Sequence, residues 1–357
     1  MSADARFMEK RRAAFDRMVA LADGSARKLA ALSAEALEMG PVDQAYPLAR
    51  RARALAPDDG EVRSMTHRAL AGGVPKWHFR IVRDDVRNAA YQAALERAVG
   101  PETRVLDIGA GTGLLAMMAA RAGAGAVISC EMNPAVADAA AEIVALNGLA
   151  DRVRVVAKRS TDLDVAADMG GRADLLVSEI VSNDLLRQGV LPVMEDAVAR
   201  LLKPGGRMIP SFGQLRIALA HWGGLGDRWL GKVAGFDMRP FNRLAQSPQA
   251  VKNGDPALVL RSAAADLFDF DFASGGPFPA RRTSLELVAQ GGPVNGIVQW
   301  IRLRLDAEIS YENRPSPGDA SCWACLFHPL ERDVDPAPGA RIRVHGAHNR
   351  SGVRLWT

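Results

Sequence analysis

The strongest constraint on this chain is the stretch Val105-Leu-Asp107-Ile-Gly109-Ala-Gly111-Thr-Gly113, where a short apolar run stops at three glycines and passes into a helical pattern over 114–122. A strand that ends this way must turn sharply. Glycine permits the turn and leaves room for a ligand to approach the backbone. Strand-like runs recur at 126–131, 152–157, 173–180 and 206–210, with helical stretches such as 134–147 between them. That alternation predicts an α/β fold, a Rossmann-like doubly wound parallel sheet within residues 73–210.

The flanks differ. Residues 1–72 are rich in Ala, Leu and Arg and read as three or four short helices. Ala45, Ala49, Ala52 and Pro57 carry the spacing of the second helix of a tetratricopeptide repeat, where small residues let paired helices approach. A lone repeat cannot stack, so a helical cap is the other reading. Gly72-Gly73-Val-Pro75 marks a boundary. Over 211–357, alternating stretches such as TSLELVA and ARIRVHGA predict antiparallel strands in a sandwich or β-barrel. The segment 222–254 interrupts them with a mixed helical patch around DRWLGKVAGFD, as an inserted arm would.

Composition limits the function. With 357 residues the chain has room for two or three domains, and 48% hydrophobic against 24% charged residues excludes a disordered chain. No apolar run reaches the roughly 18 residues that argue for a membrane span. A net charge of +4, mostly from Arg with only seven Lys, is too small to argue for nucleic acid. Three cysteines make no disulfide framework, and Cys322-Trp-Ala-Cys325 lacks the second pair or nearby His of a zinc site, so no metal is expected. The first residues, MSADARFMEKRR, lack the apolar stretch of a secretory signal. A cytoplasmic enzyme is the expectation.

The second strand ends at Glu131, 18 residues after Gly113. A carboxylate there can accept hydrogen bonds from both hydroxyls of a ribose. Glycines and a carboxylate alone leave a nicotinamide dinucleotide and S-adenosylmethionine unresolved. Three details favour the methyl donor: the turn is G-x-G-x-G, Asp107 precedes it where a carboxylate could orient a methionine amino group, and Leu202-Lys-Pro-Gly-Gly206 is a turn common in methyltransferases.

The run 105–210 resembles the catalytic core of the protein arginine N-methyltransferase family. Upstream, Trp77-His-Phe-Arg-Ile-Val-Arg-Asp84-Asp-Val-Arg87-Asn-Ala-Ala-Tyr91 resembles the helix that closes over the cofactor in that family, which implies that Arg87 holds the donor's carboxylate. Downstream, Gly235-Phe-Asp237-Met-Arg-Pro-Phe-Asn242 and Asn295-Gly296-Ile-Val-Gln-Trp300 match segments of the family's barrel. The helical N-terminus is similar to the subgroup with tetratricopeptide repeats before the core. The resemblance implies a donor site of Arg87, Asp107, Gly109, Gly111, Gly113, Glu131 and Met132, with Lys158 and Ser160 bordering the adenine. It also implies a homodimer formed through the arm.

Val177-Ser-Glu179 lies at the carboxyl end of the fourth strand, where ligands bind in open α/β sheets. A guanidinium has no free lone pair, because its charge is delocalised. The family answers with two glutamates nine positions apart, which localise that charge away from the attacking nitrogen. The first maps onto Glu179; the second maps onto Gln188, which keeps an acceptor oxygen but loses the charge. In the family's Thr-His-Trp segment this chain has Ser321-Cys322-Trp323, which keeps the aromatic of the substrate pocket and replaces His by Cys. The expected acceptor is arginine in a protein. A small guanidino compound, a free amino acid or another side chain is the alternative, and a donor-binding scaffold without catalysis is the third reading.

Overall fold

The computed structural model describes residues 3–72, 74–226, 229–245, 247–316 and 321–357. Gly73 of the expected boundary, and Asp227 and Arg228 of the expected helical patch, lie outside the described residues. The chain forms two compact units, one of Met1–His78 with Asn133–Ala139 and one of Phe79–Met132 with Ala140–Thr357.

In the first unit, α1 (Ala3–Leu21), α2 (Ala26–Glu38), α3 (Val42–Leu55) and α4 (Gly60–Ala71) supply the expected helices. Ala45, Ala49 and Ala52 recur every three or four residues on α3 and are buried. Their small size lets α2 approach closely enough for Ser33 Oγ to donate to the Ala45 carbonyl at 2.8 Å. Asp59 caps α4 by accepting the amides of Glu61 and Val62, satisfying donors that a helix start leaves open.

The second unit begins at Phe79, within α5 (His78–Ile81), and continues with α6 (Asp85–Ala98). The strands β1 (Arg104–Ile108), β2 (Ala126–Cys130), β3 (Val153–Val156), β4 (Ala173–Ser178) and β5 (Leu202–Ile209) follow; between them in the chain lie α7 (Leu114–Arg121), α8 (Pro134–Leu146), which belongs to this unit from Ala140 onward, and α9 (Val190–Asp196). They form a parallel sheet in the order β3-β2-β1-β4-β5. Strand order reverses between β1 and β4, so the crevice outside their carboxyl ends is the ligand-binding position of such a sheet. The Leu202–Gly206 turn is a bulge inside β5: the register jumps from Ala173↔Leu202 to Leu175↔Arg207, and Gly205 adopts φ +73° within the excursion.

Residues from 211 onward are antiparallel. β6 (Phe212–Trp222) is followed by the short pair β7 (Lys232–Val233) and β8 (Phe236–Asp237), then by β9 (Gln249–Val251), β10 (Leu258–Leu260) and β11 (Ala265–Asp271). β12 (Arg281–Val288), β13 (Val294–Arg304), β14 (Ser310–Glu312), β15 (Cys325–Val334), β16 (Arg341–His348) and β17 (Val353–Trp356) complete the chain. β6 and β13 pair from Gly296↔Ala220 to Arg304↔Phe212 at the centre of one sheet, and β12-β16-β17 form another. The patch around DRWLGKVAGFD is a correction: its described residues form the β7–β8 hairpin and not a helix. Ala234 and Gly235 sit at φ +50° and +86°, a left-handed turn that a helix cannot pass through.

Candidate active site

The site grows from the turn after β1. Gly109 and Gly111 adopt φ +87° and +53°, where other residues are strained. A Cβ on Gly109 would meet Ile180 Cγ2 at 2.5 Å, because the register pairs Ile108 with Ser178 and brings the two strand ends side by side. At Gly111 the nearest atom to a Cβ is 4.0 Å away, so this turn is open on the side a ligand would use. Glu131, at the end of β2, accepts the Gly111 amide at 3.2 Å and is buried.

Asp107 is fully buried on β1. Burial pushes its carboxyl up to about 7, the Ser129 hydroxyl opposes this by donating to Oδ2 at 2.7 Å, and the Glu131 charge adds to the rise. Its Oδ1 has no hydrogen-bond partner. Glu179 leaves the end of β4 beside Gly109 and is pushed up to about 8 by burial, with the Arg87 guanidinium opposing. Arg87 projects from the first turn of α6, with Nη1 3.2 Å from Glu179 Oε2. The side chains of this pair are only 4% and 11% exposed, which makes an uncompensated charge there costly. Tyr91 on the same helix donates to the Ser178 carbonyl at 3.2 Å and fixes α6 against the end of β4.

Asp107 Oδ1 and Glu179 Oε1 are buried without a hydrogen bond, and Arg87 Nη1 has only its ion pair with Glu179 Oε2 and no acceptor in hydrogen-bond geometry. Buried polar groups are seldom left so, and each unmatched atom costs about 1–3 kcal/mol. S-adenosylmethionine carries an ammonium, a carboxylate and a ribose diol. Asp107 Oδ1 suits the first, Arg87 Nη1 the second and Glu131 the third, so the residues present fit this donor. Glu179 Oε1 then remains for a second cation.

The other expected residues fall as follows. Met132 is 63% exposed. Lys158 pairs with Asp168, Nζ–Oδ2 2.7 Å, and the buried Ser160 gives its carbonyl to Arg200 at 2.8 Å. Cys322 is half-buried, and burial followed by the Asp84 charge raises its thiol, which keeps it neutral. Trp323 is buried, its amide donating to Ser321 Oγ at 3.2 Å.

Gln188 is exposed and sits at φ +65°. The loop after Glu179 is shaped by the buried Asp184. Its Oδ1 accepts the Ser182 hydroxyl at 2.6 Å and the amides of Leu186 and Arg187 at 3.2 and 3.1 Å, while Oδ2 takes Arg187 Nε at 3.0 Å. Leu185, at φ +61°, is a second left-handed residue in this loop, and such strain gathers where structure serves function. The structure therefore groups Arg87, Asp107, Glu131 and Glu179 and leaves the Gln188 side chain in solvent.

Sequence reasoning missed Asp84 and Tyr311. Asp84 caps α6, its Oδ1 accepting the Arg87 amide at 2.9 Å, and Tyr311 donates to its Oδ2 at 2.8 Å. An Asp three residues before Arg87 at a helix start was a readable capping signal. Nothing local pointed to Tyr311.

A family profile described as ribosomal protein L11 methyltransferase (PrmA) matches residues 92–215. The arginine N(omega)-methyltransferase of Streptomyces achromogenes subsp. streptozoticus is 36% identical over 330 residues, covering 90% of this chain and 90% of its own. The chain belongs to the protein arginine N-methyltransferase family. Protein arginine N-methyltransferase 7 of Oryza sativa subsp. indica is 34% identical over 316 residues, 77% of this chain and 44% of its own. This chain thus spans less than half the length of the rice relative. Among solved structures, the Trypanosoma brucei PRMT1 enzyme–prozyme heterotetramer with AdoHcy aligns with a TM-score of 0.67 at 23% identity, covering 77% of this chain and 90% of that one. Arabidopsis thaliana protein arginine methyltransferase 10 aligns with a TM-score of 0.62 at 20% identity, covering 75% and 86%. Both share the fold, the parallel sheet followed by antiparallel strands, as the family resemblance implies.

Proposed function

We propose that this chain transfers a methyl group from S-adenosylmethionine to a guanidino nitrogen of arginine in a protein. The observation that carries the reading is the buried Arg87–Glu179 ion pair together with the unmatched oxygens Asp107 Oδ1 and Glu179 Oε1, which suits a zwitterionic donor beside a cationic acceptor. Bound S-adenosylmethionine supplies an electrophilic sulfonium methyl. Arg87 and Asp107 hold the carboxylate and ammonium of its methionine end, Glu131 takes the ribose, and Lys158, Ser160 and Met132 border the adenine. Glu179 binds the guanidinium and draws its charge away from the attacking nitrogen. Burial alone favours the neutral carboxyl of Glu179, and an arriving guanidinium favours its ionised form, which can then take the proton that the methylated nitrogen gives up. In place of a second glutamate Gln188 offers a neutral amide on an exposed turn of its loop, and Cys322 and Trp323 line the acceptor side. In this reading residues 1–72 are an accessory helical region, 73–210 the donor domain and 211–357 the acceptor domain.

A small guanidino acceptor such as free arginine is the second reading. Two observations favour it: Gln188 replaces a charged residue of the family, and the relative covered over 90% of both chains is named for arginine alone. Incubation with methyl-labelled donor, separately with free arginine and with an arginine-rich peptide, tests both. Label in the peptide supports the protein acceptor. Label in free arginine alone transfers the conclusion to the second reading, and label in neither, with donor bound, removes the enzymatic one.

The arm at 222–254 supports a homodimer. Phe236, Phe241 and Leu244 are 69%, 64% and 67% exposed, an apolar surface that a second copy would cover. Light scattering is expected to give a dimer mass for the wild type and a monomer for Phe241→Asp. A monomeric wild type at micromolar concentration would remove the arm's role.

A further inference from the structure

The sheet β12-β16-β17 packs one face inward, where Leu287 and Val344 join the main hydrophobic core. Side chains alternate along a strand, so the residues between them point to solvent. Register arranges that outer face in rows. Arg282, Ala347 and Arg354 lie side by side across the three strands, and Ser284, His345 and Trp356 form the next row. Beyond these, Glu286 is opposite Arg343 and Val288 is opposite Arg341. All four arginines are exposed, and Trp356 is 44% exposed.

The charge on this face is one-sided. Four arginines stand against one glutamate, a net +3 on a chain whose total is +4. The whole-chain value hides this concentration, because the strands that carry it are separated in sequence. Glu286 accepts from Arg341 at 3.1 Å and from Arg343 at 3.0 Å. Arg282 and Arg354 form no ion pair among the described residues. Strand spacing puts their Cα atoms about 10 Å apart, and the small Ala347 leaves a notch between them. One row away, about 7 Å along the strands, Trp356 stacks on His345 with ring centroids 5.5 Å apart at 15°.

Two unpaired guanidinium groups over a notch suit a phosphodiester, which each can grip through paired N–H bonds. A flat aromatic pair within the reach of one nucleotide suits a base. An acidic peptide would use the arginines and leave the rings without a partner, and a duplex keeps its base faces stacked inside. We propose that the outer face of β12-β16-β17 binds single-stranded nucleic acid, with a phosphate between Arg282 and Arg354 and a base on Trp356. None of these residues belongs to the donor or acceptor set given above, so either reading can fail without the other.

The test titrates the full chain into a fluorescein-labelled deoxythymidine oligomer of about twelve nucleotides and reads anisotropy from about 50 to about 300 mM salt. The expected dissociation constant is on the order of 10 µM near 0.1 M salt. Its logarithm should rise with that of the salt concentration with a slope of about 2–3, as for three or four neutralised phosphates of a single strand. Arg282→Gln combined with Arg354→Gln should lower that slope by about 1–1.5. Trp356→Ala should weaken binding at least about fivefold and leave the slope unchanged. The arginine pair lies wholly on the surface and carries the test if Trp356→Ala does not fold. No binding up to about 100 µM at the lowest salt overturns the proposal. An unchanged slope in the arginine variant does so too, by placing the oligomer elsewhere. An arginine effect without a Trp356 effect also overturns it, and displacement by polyglutamate would then assign the face to an acidic protein.

Discussion

Glu179→Gln is expected to lower methyl transfer by about a hundred- to a thousandfold, the usual loss when one preorganised charge-stabilising group is removed. The amide keeps the size of the side chain and one acceptor oxygen, but it can neither neutralise a guanidinium nor accept its proton. The residual charge nearby would be worse than neutral. Arg87, 3.2 Å from Glu179 in the wild type, would then face an arriving cation with no carboxylate between them. Affinity for S-adenosylhomocysteine should change little, because Arg87 is proposed to meet its carboxylate and Asp107 its ammonium. Single-turnover transfer and calorimetry on the same preparation separate the two effects. A loss of S-adenosylhomocysteine affinity as large as the loss of transfer would recast Glu179 as a donor ligand.

Asp107→Asn is expected to weaken S-adenosylhomocysteine binding by on the order of a hundredfold, the scale for breaking a buried, hydrogen-bonded charge pair. The same change should stabilise the free protein at higher pH. Asp107 is raised from 3.8 in its ordinary state to about 7 in the fold, so the folded chain binds the proton more tightly than the unfolded one. Its contribution to stability is therefore complete below the lower value and is lost as pH rises through the upper one. The neutral amide avoids that loss and can still accept the Ser129 hydroxyl. The variant should thus gain in melting temperature over the wild type as pH is raised from about 4 to about 8.

Binding also reports on this proton. An arriving ammonium favours the ionised carboxylate, so the wild type should release close to one proton on binding at pH about 6, and progressively less above about 8. The enthalpy measured in two buffers of different ionisation heat reads this directly, and Asp107→Asn should abolish it. Undiminished affinity in that variant would place the ammonium elsewhere.

Much of this protein was legible because its information is local. Glycines at 109, 111 and 113 between a strand pattern and a helix pattern specified the turn, and the five apolar runs specified β1 to β5 within a few residues. Alternation after 211 specified antiparallel strands. The helical expectation around DRWLGKVAGFD failed because a left-handed turn at Ala234 and Gly235 breaks any helix through that segment. At the candidate site, residue types at the ends of β1, β2 and β4 marked Asp107, Glu131 and Glu179, since strand ends sit at the crevice of any such sheet.

What the sequence by itself determined is therefore the run of parallel strands with their intervening helices, and the residues at those strands' ends. Tertiary structure alone decided which of those ends meet. Tyr311 reaches Asp84 across 227 positions and the Cys322 amide reaches it across 238, contacts that no periodicity encodes because they depend on the path of the whole chain. It also decided that Arg87 rests on Glu179 and that Gln188, equivalent in spacing to a charged partner, turns to solvent. Local patterns set the backbone state and the burial of a face. The direction of a single loop side chain is set by φ at that residue and by what packs beneath it, here the hydrogen bonds that gather around Asp184.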